Sequence, residues 1–237
     1  MRYIKTLAIL IFTLLDKYIH QRRIISFIKK NIKKVDSFID VGAHRGIYSD
    51  LILKNFKKCK IHMFEPQKKI FAFLKTKYKK QKNIKIYNCA LSDTNSTKIL
   101  NINNHDLTSS LLKLNQKNKY LRIKARLFGT NLNGMILRGE KIKTLKLEKF
   151  LNKKLFNKRV DLIKIDTEGH ELNVLKGIKA NIKKINYIMI EFHLGKTFKN
   201  YDSKKIHTYL IQNKFILKKI CRFPFSSWED RFYKNSR

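Results

Sequence analysis

Asp40-Val41-Gly42-Ala43-His44-Arg45-Gly46 closes a short apolar run and leads into a helical period, and about 25 residues after Asp40 a second apolar run closes on Glu65. In a strand–turn–helix–strand pattern these are the positions at which an open α/β sheet holds a nucleotide-like ligand. Gly42 permits a tight turn with close approach, and Gly46 lets the following helix pack. A carboxylate at Glu65 can accept both hydroxyls of a ribose. His44 stands where the dinucleotide fingerprint has a second glycine, so the backbone is not cleared to meet a pyrophosphate. An adenosine carrier without phosphates is S-adenosylmethionine, the cofactor this pattern predicts. Taken singly, the glycines fit a plain tight turn and Glu65 before Pro66 fits a helix N-terminal acid. Their order on consecutive elements favours the cofactor.

A second cluster follows the run Val160–Ile165, where Asp166-Thr167-Glu168-Gly169-His170-Glu171 opens another helix. A further apolar run ends in Glu191-Phe192-His193. Neighbouring parallel strands lie about 4.8 Å apart, so Asp166 and Glu191 at the ends of adjacent strands can face one crevice. His193 shares the facing of Glu191 at period two. Methyl transfer to a hydroxyl needs in-line placement and a base for the departing proton, which a carboxylate or imidazole provides. A purely structural alternative exists for Asp166, Glu168 and Glu171, because acids and a threonine at a helix start stabilise it by about 0.5–1 kcal/mol. Glu191 is harder to explain that way, since an unpartnered acid in an apolar strand is costly to bury. Asp166, Glu191 and His193 are possible metal ligands by type but supply too few clear oxygen donors, and no metal is expected.

The elements that must position these residues alternate in a βα manner, which predicts a parallel sheet. Strands are expected at Val35–Val41, Lys60–Phe64, Ile84–Asn88, Val160–Ile165, Tyr187–Phe192 and Phe215–Cys221. Helices are expected at Ile47–Asn55, Lys68–Lys80, Glu171–Ala180 and Ser203–Asn213, where apolar residues recur at three and four spacing. From Ser96 to Glu140 the alternation lapses into a polar insertion with Gly and Asn turn signals, followed by a strand at Lys141–Leu147 and a short helix to Phe150. The insertion is expected to shape the acceptor pocket.

The segments DVGAHRGIYS and KIDTEGHELNVLKG, with FEP between them and IEFH after them, resemble the FkbM family of S-adenosylmethionine-dependent methyltransferases over Val35 to Cys221. The resemblance implies an α/β, Rossmann-like class I methyltransferase fold, with a mostly parallel seven-stranded sheet, helices on both faces and an N-terminal helical extension. It implies methylation of an oxygen on a sugar, a polysaccharide or a related small molecule. By the same resemblance Asp40, Gly42, Ala43 and Gly46 cradle the methionine end, Glu65 holds the ribose, and Ala90, Leu91 and Ser92 flank the adenine. Cys89 departs from the acid that related enzymes carry for the adenine amine, and Lys146-Leu147-Glu148 replaces a usual Leu-Asp pair. Asp166, Glu168, Glu191 and His193 are the catalytic candidates, with Asp166 orienting cofactor or acceptor and Glu191 or His193 receiving the proton.

The 237 residues are enough for one domain with a sizeable core, and 43% hydrophobic content excludes a disordered chain. The net charge of +37 raises a rival reading, a basic nucleic-acid-binding protein or RNA methyltransferase. Against it, 43 of the 54 basic residues are Lys, spread along the chain, and the Arg forks of phosphate and base readers are few. No specific nucleic-acid partner is expected. Cys59, Cys89 and Cys221 lack metal spacing and sit in apolar runs, as reduced core thiols do, which with no cleavable leader predicts a cytoplasmic protein. Residues 1–30 form an amphipathic helical segment too short in its apolar run to span a bilayer, expected to pack on the domain, with peripheral membrane contact as the alternative. The domain is expected over 31–225 and a frayed tail over 226–237. The acceptor and the oligomeric state are not readable.

Overall fold

Apolar runs flanked by turn-forming residues build a seven-stranded sheet. The computed structural model describes residues 10–103, 109–127, 136–151, 159–195, 197–224 and 226–237. The strands are β1 (Ser37–Val41), β2 (Lys60–Phe64), β3 (Ile84–Tyr87), β7 (Val160–Ile165), β8 (Ile185–His193), β9 (Phe215–Arg222) and β10 (Trp228–Asn235), in the order β3-β2-β1-β7-β8-β10-β9. β1, β2, β3, β7 and β8 pair in parallel, and β10 runs antiparallel between β8 and β9. The chain order reverses direction between β1 and β7, the switch point at which such sheets open a crevice beyond the strand ends.

Alternate residues of each strand feed two cores. Ile39, Val41, Ile163, Ile165, Ile188 and Ile190 enter one, closed by α5 (Glu148–Leu151), α6 (Glu171–Lys176) and α7 (Ser203–Gln212). Phe38, Ile61, Met63, Leu162 and Met189 enter the other, closed by α1 (Gln21–Asn31), α2 (Ile47–Asn55) and α3 (Lys68–Lys77). The result is the expected sheet with helices on both faces. Glu171–Ala180 is shorter than expected as an α-helix: α6 ends at Lys176, and a 3-10 turn follows over Lys179–Lys184.

Two expectations are corrected. The stretch read as frayed, 226–237, contains β10, in which Phe232 and Tyr233 are fully buried. Its sequence WEDRFYKN reads as surface because Glu229 and Asp230 are charged, yet both are buried and paired within the fold. The sheet domain therefore runs past residue 225 to Asn235. The polar insertion, in turn, begins with a strand: β5 (Ser96–Asn103) pairs antiparallel with β6 (Ile136–Leu145), which pairs in parallel with β4 (Ala90–Leu91). Leu100, Ile102 and Ile142 make this small sheet's own core. Helix α4 (Lys119–Leu127) follows β5, while 104–108 and 128–135 of the insertion lie outside the described residues.

The N-terminal segment is helical from residue 10, passes through a π turn at Asp16–His20 and continues as α1. His20, Ile24 and Ile28 are buried against the sheet, whereas Leu10, Ile11, Phe12, Leu14 and Tyr18 are exposed. Residues 1–9 lie outside the described residues. Among the described residues no helix is long and apolar enough to cross a membrane.

Candidate active site

Two turns, one after β1 and one after β7, face each other at the switch point. Gly42 has φ of +78°, and a Cβ there would run into the carbonyl oxygen of Asp166, so glycine is what lets the two turns close together. The same turn holds His44 at φ of +43°, and the β7 turn holds Glu168 at +52° and Gly169 at +97°. Left-handed residues that are not glycine cost energy and persist where surrounding bonds fix them. At His44 the backbone N–H donates to Glu65 Oε2 at 2.9 Å. At Gly169 the N–H donates to Glu171 Oε1 at 2.9 Å, which also accepts from the Thr167 N–H at 3.0 Å. Glu171, one of the acids open to a helix-start reading, thus acts as a brace for the β7 turn.

Glu65 follows β2 and is buried, with Oε1 accepting from the Gln67 N–H at 2.8 Å. Burial pushes its carboxyl up to about 7 against the pull of these two N–H groups. Each oxygen keeps a second lone pair, which is the capacity a ribose diol needs. Asp40 Oδ2 accepts from Ser49 Oγ at 2.7 Å, while its buried Oδ1 accepts no hydrogen bond among the described residues. Burial raises the Asp40 carboxyl as well, with Lys164 opposing. An orphaned acceptor at Asp40, an acid with spare lone pairs at Glu65 and a glycine turn between them fit S-adenosylmethionine. Ala43 is buried in the core, and Gly46 abuts the Tyr78 ring, whose hydroxyl donates to the Gly46 carbonyl at 3.0 Å.

The residues that the resemblance places beside the adenine have different surroundings. Ala90 is partly exposed, Leu91 is in the main core, and buried Ser92 donates to Asp93 and meets His170 Nε2 at 2.9 Å. Cys89 is buried and its thiol is pushed up to about 12 by burial, so it offers no charge there.

By the period of two, Asp40, Lys164, Asp166, Glu191 and His193 lie on the face of Phe38, Leu162 and Met189, beneath α1 and α2. Asp166, Glu168, Glu191 and His193 are brought together as expected. Asp166 is about 29% open on its side chain, and its Oδ2 accepts from Lys164 Nζ at 2.7 Å. Burial works to raise the Asp166 carboxyl, but Lys164, a hydrogen bond to Glu191 and His193 hold it below the usual range. Glu191 moves the opposite way, raised well above it by burial and by the charges of Asp166 and Glu168. His193 Nε2 stands 3.6 Å from Glu168 Oε2 and 3.9 Å from Glu191 Oε2.

Lys164, Tyr48 and Asp230 were not singled out by the sequence. Lys164 is 2% exposed, and its ammonium lies 4.3 Å from the centre of the Tyr48 ring. Burial alone would lower its pKa, yet Asp166, Asp40 and Asp230 together raise it. Asp230 accepts from Tyr48 Oη at 3.2 Å and meets His20 Nε2 at 2.7 Å. The signal in the sequence was a lysine inside an apolar strand, DLIKID, hidden by the many lysines elsewhere.

Comparison with known proteins bears on the family and the fold. A family model of the methyltransferase FkbM domain matches residues 40–217. A hexuronic acid methyltransferase, AglP of Haloferax volcanii, is 43% identical over 35 residues, which is 15% of this chain and 15% of that protein. A candidate rRNA-methylase structure from Clostridium thermocellum superposes with a TM-score of 0.53 at 10% identity, covering 91% of this chain and 94% of that one. A TrmK structure from M. capricolum in complex with S-adenosylhomocysteine has a TM-score of 0.47 at 13% identity, covering 90% of this chain and 67% of that one. At 10% identity the likeness to the Clostridium thermocellum structure speaks for the fold alone. With three quarters of its length matched by the family model, from the Asp40 turn into the start of β9, the chain belongs to the FkbM family of S-adenosylmethionine-dependent methyltransferases.

Proposed function

We propose that the protein transfers a methyl group from S-adenosylmethionine to a hydroxyl oxygen of a sugar, a polysaccharide or a related small molecule. The observation that carries this reading is the cluster of Asp166, Glu168, Glu191 and His193 beside the Gly42 turn, where proton-accepting groups adjoin the cofactor crevice. The short match to a hexuronic acid methyltransferase supports a sugar-class acceptor.

When bound, the cofactor supplies an electrophilic methyl group on a sulfonium. The chain's own residues have separable tasks. Asp166 stays ionised beside Lys164 and offers its open side to a cationic ligand or to an acceptor hydroxyl. Burial and the charges of Asp166 and Glu168 raise the Glu191 carboxyl, and a positive charge beside it would oppose that shift. A carboxylate with a raised pKa is a stronger base once ionised, so Glu191, or His193 alongside it, receives the hydroxyl proton. Glu168 faces the same Nε2 of the imidazole as Glu191, at 3.6 Å.

Transfer of labelled methyl groups to a panel of sugars, uronic acids and oligosaccharides tests the reading. Glu191→Gln and His193→Gln are each expected to cut turnover at least about tenfold, with affinity for S-adenosylhomocysteine little changed. Full turnover in both variants on a genuine acceptor would remove the proton-acceptor assignment.

A further inference from the structure

We propose that Glu168, Glu191 and His193 form a binding site for one first-row divalent metal ion, of the kind that accepts mixed carboxylate and imidazole donors, such as manganese(II), cobalt(II) or zinc(II). One donor atom from each residue lies within 4.8 Å of the others. The Glu191 side chain shares a hydrogen bond with Asp166, but its buried Oε2 atom, 3.9 Å from His193 Nε2, accepts none among the described residues. A buried acceptor left this way is expensive unless something fills the space in front of it.

Geometry and charge both fit an ion. Donors about 2.1 Å from a metal stand roughly 3 to 3.5 Å from one another. The separations from His193 Nε2 to the two carboxylates, 3.6 and 3.9 Å, need to close by only a few tenths of an ångström, and the third donor pair lies within 4.8 Å. Two carboxylates and a neutral imidazole balance a double positive charge, and Asp166 is taken out of competition by Lys164 at 2.7 Å. Imidazole with carboxylates suits transition ions better than magnesium or calcium, which prefer oxygen alone.

The donors are also held. Glu191 and His193 sit two residues apart on β8, and the His193 N–H donates to Tyr201 Oη at 3.0 Å. Phe198 and Tyr201 meet the imidazole edge-on with ring centres 4.9 and 5.3 Å away. Glu168 is fixed through its carbonyl, which accepts from Ser110 Oγ. Three protein donors leave coordination positions for water or for oxygens of a ligand, as at metal sites that do chemistry. The ligand class that follows is an oxygen chelator such as a vicinal diol or a hydroxy acid. Ion binding by these residues goes beyond the methyl-transfer reading and does not depend on it; with an ion in place Glu191 and His193 act as ligands, not as proton acceptors.

The test uses the full chain stripped with a chelator and titrated with manganese(II), read by loss of the free-ion electron paramagnetic resonance signal, and with cobalt(II), read by its visible absorption. One ion per chain is expected, with affinity lowered at least about tenfold in Glu191→Gln and in His193→Gln and unchanged in Glu148→Gln, which lies outside the cluster. Binding of S-adenosylhomocysteine, followed in the same samples, reports both on folding of the variants and, separately, on the cofactor reading. Less than about one tenth of an ion per wild-type chain, or equal ion affinity in wild type and both cluster variants, overturns the proposal.

Discussion

Glu65 and Glu171 show how much of the site's chemistry is set by burial. Each is raised to about 7 from an ordinary 4.5, with desolvation the leading cause and backbone N–H donors opposing it. A carboxyl whose folded pKa is raised contributes stability that is complete below its unfolded pKa and disappears as pH climbs through the folded one. The melting temperature of the cofactor-free protein is therefore expected to fall between about pH 5 and pH 8 through these two groups. Glu171→Gln keeps an acceptor for the Thr167 and Gly169 N–H groups but cannot ionise, so it should flatten that fall. A thermal-melt series at four pH values checks this; an identical slope in wild type and variant would mean that Glu171 is not ionising in that window. Asp166 differs from both because Lys164 compensates it, so one crevice holds an anion and protonatable acids side by side.

At the scale of elements, the parallel strands and their turns were legible because each apolar run ends where its functional residue begins. Asp40 closes on Gly42, Glu65 follows Phe64 directly, and Asp166 follows Ile165, so pattern and chemistry coincide. β10 was not legible, since its charged residues are buried and paired inside the fold, Asp230 by partners far away in sequence. Glu229 is held by Arg222 at 2.8 Å and Arg231 at 2.7 Å, and Asp230 by His20 from the N-terminal helix. β5 was missed for another reason: a strand that buries only a few side chains in a satellite core has weak alternation. The pairing of His20 with Asp230 makes α1 part of the domain, and it carries a prediction. Removing residues through 19 should leave the melting temperature close to wild type, whereas removing them through 31 also strips His20, Ile24 and Ile28. Burying two isoleucines contributes about 3–6 kcal/mol, which at about 2–4 °C per kcal/mol lowers the melting temperature by roughly 6 °C or more. Equal melting temperatures for the two truncations would detach the helix from the fold.

For the whole molecule, the charge of +37 is the most visible property of the sequence and explains little of the site. The lysines are dispersed over the surface, as a solvated face requires, and the one that matters, Lys164, is buried and spends its charge on Asp166, Asp40 and Asp230. Family membership, strand order and the Gly42 turn support the proposal that S-adenosylmethionine binds in the crevice between β1, β2 and β7. That is the central claim, and calorimetric titration of S-adenosylmethionine into wild type and Glu65→Ala addresses it most directly. The account predicts saturable one-to-one binding by wild type and a loss of about 1–3 kcal/mol in the variant, from two charge-assisted hydrogen bonds to the ribose. No measurable binding by a folded wild-type chain, or the same affinity in both proteins, would contradict it.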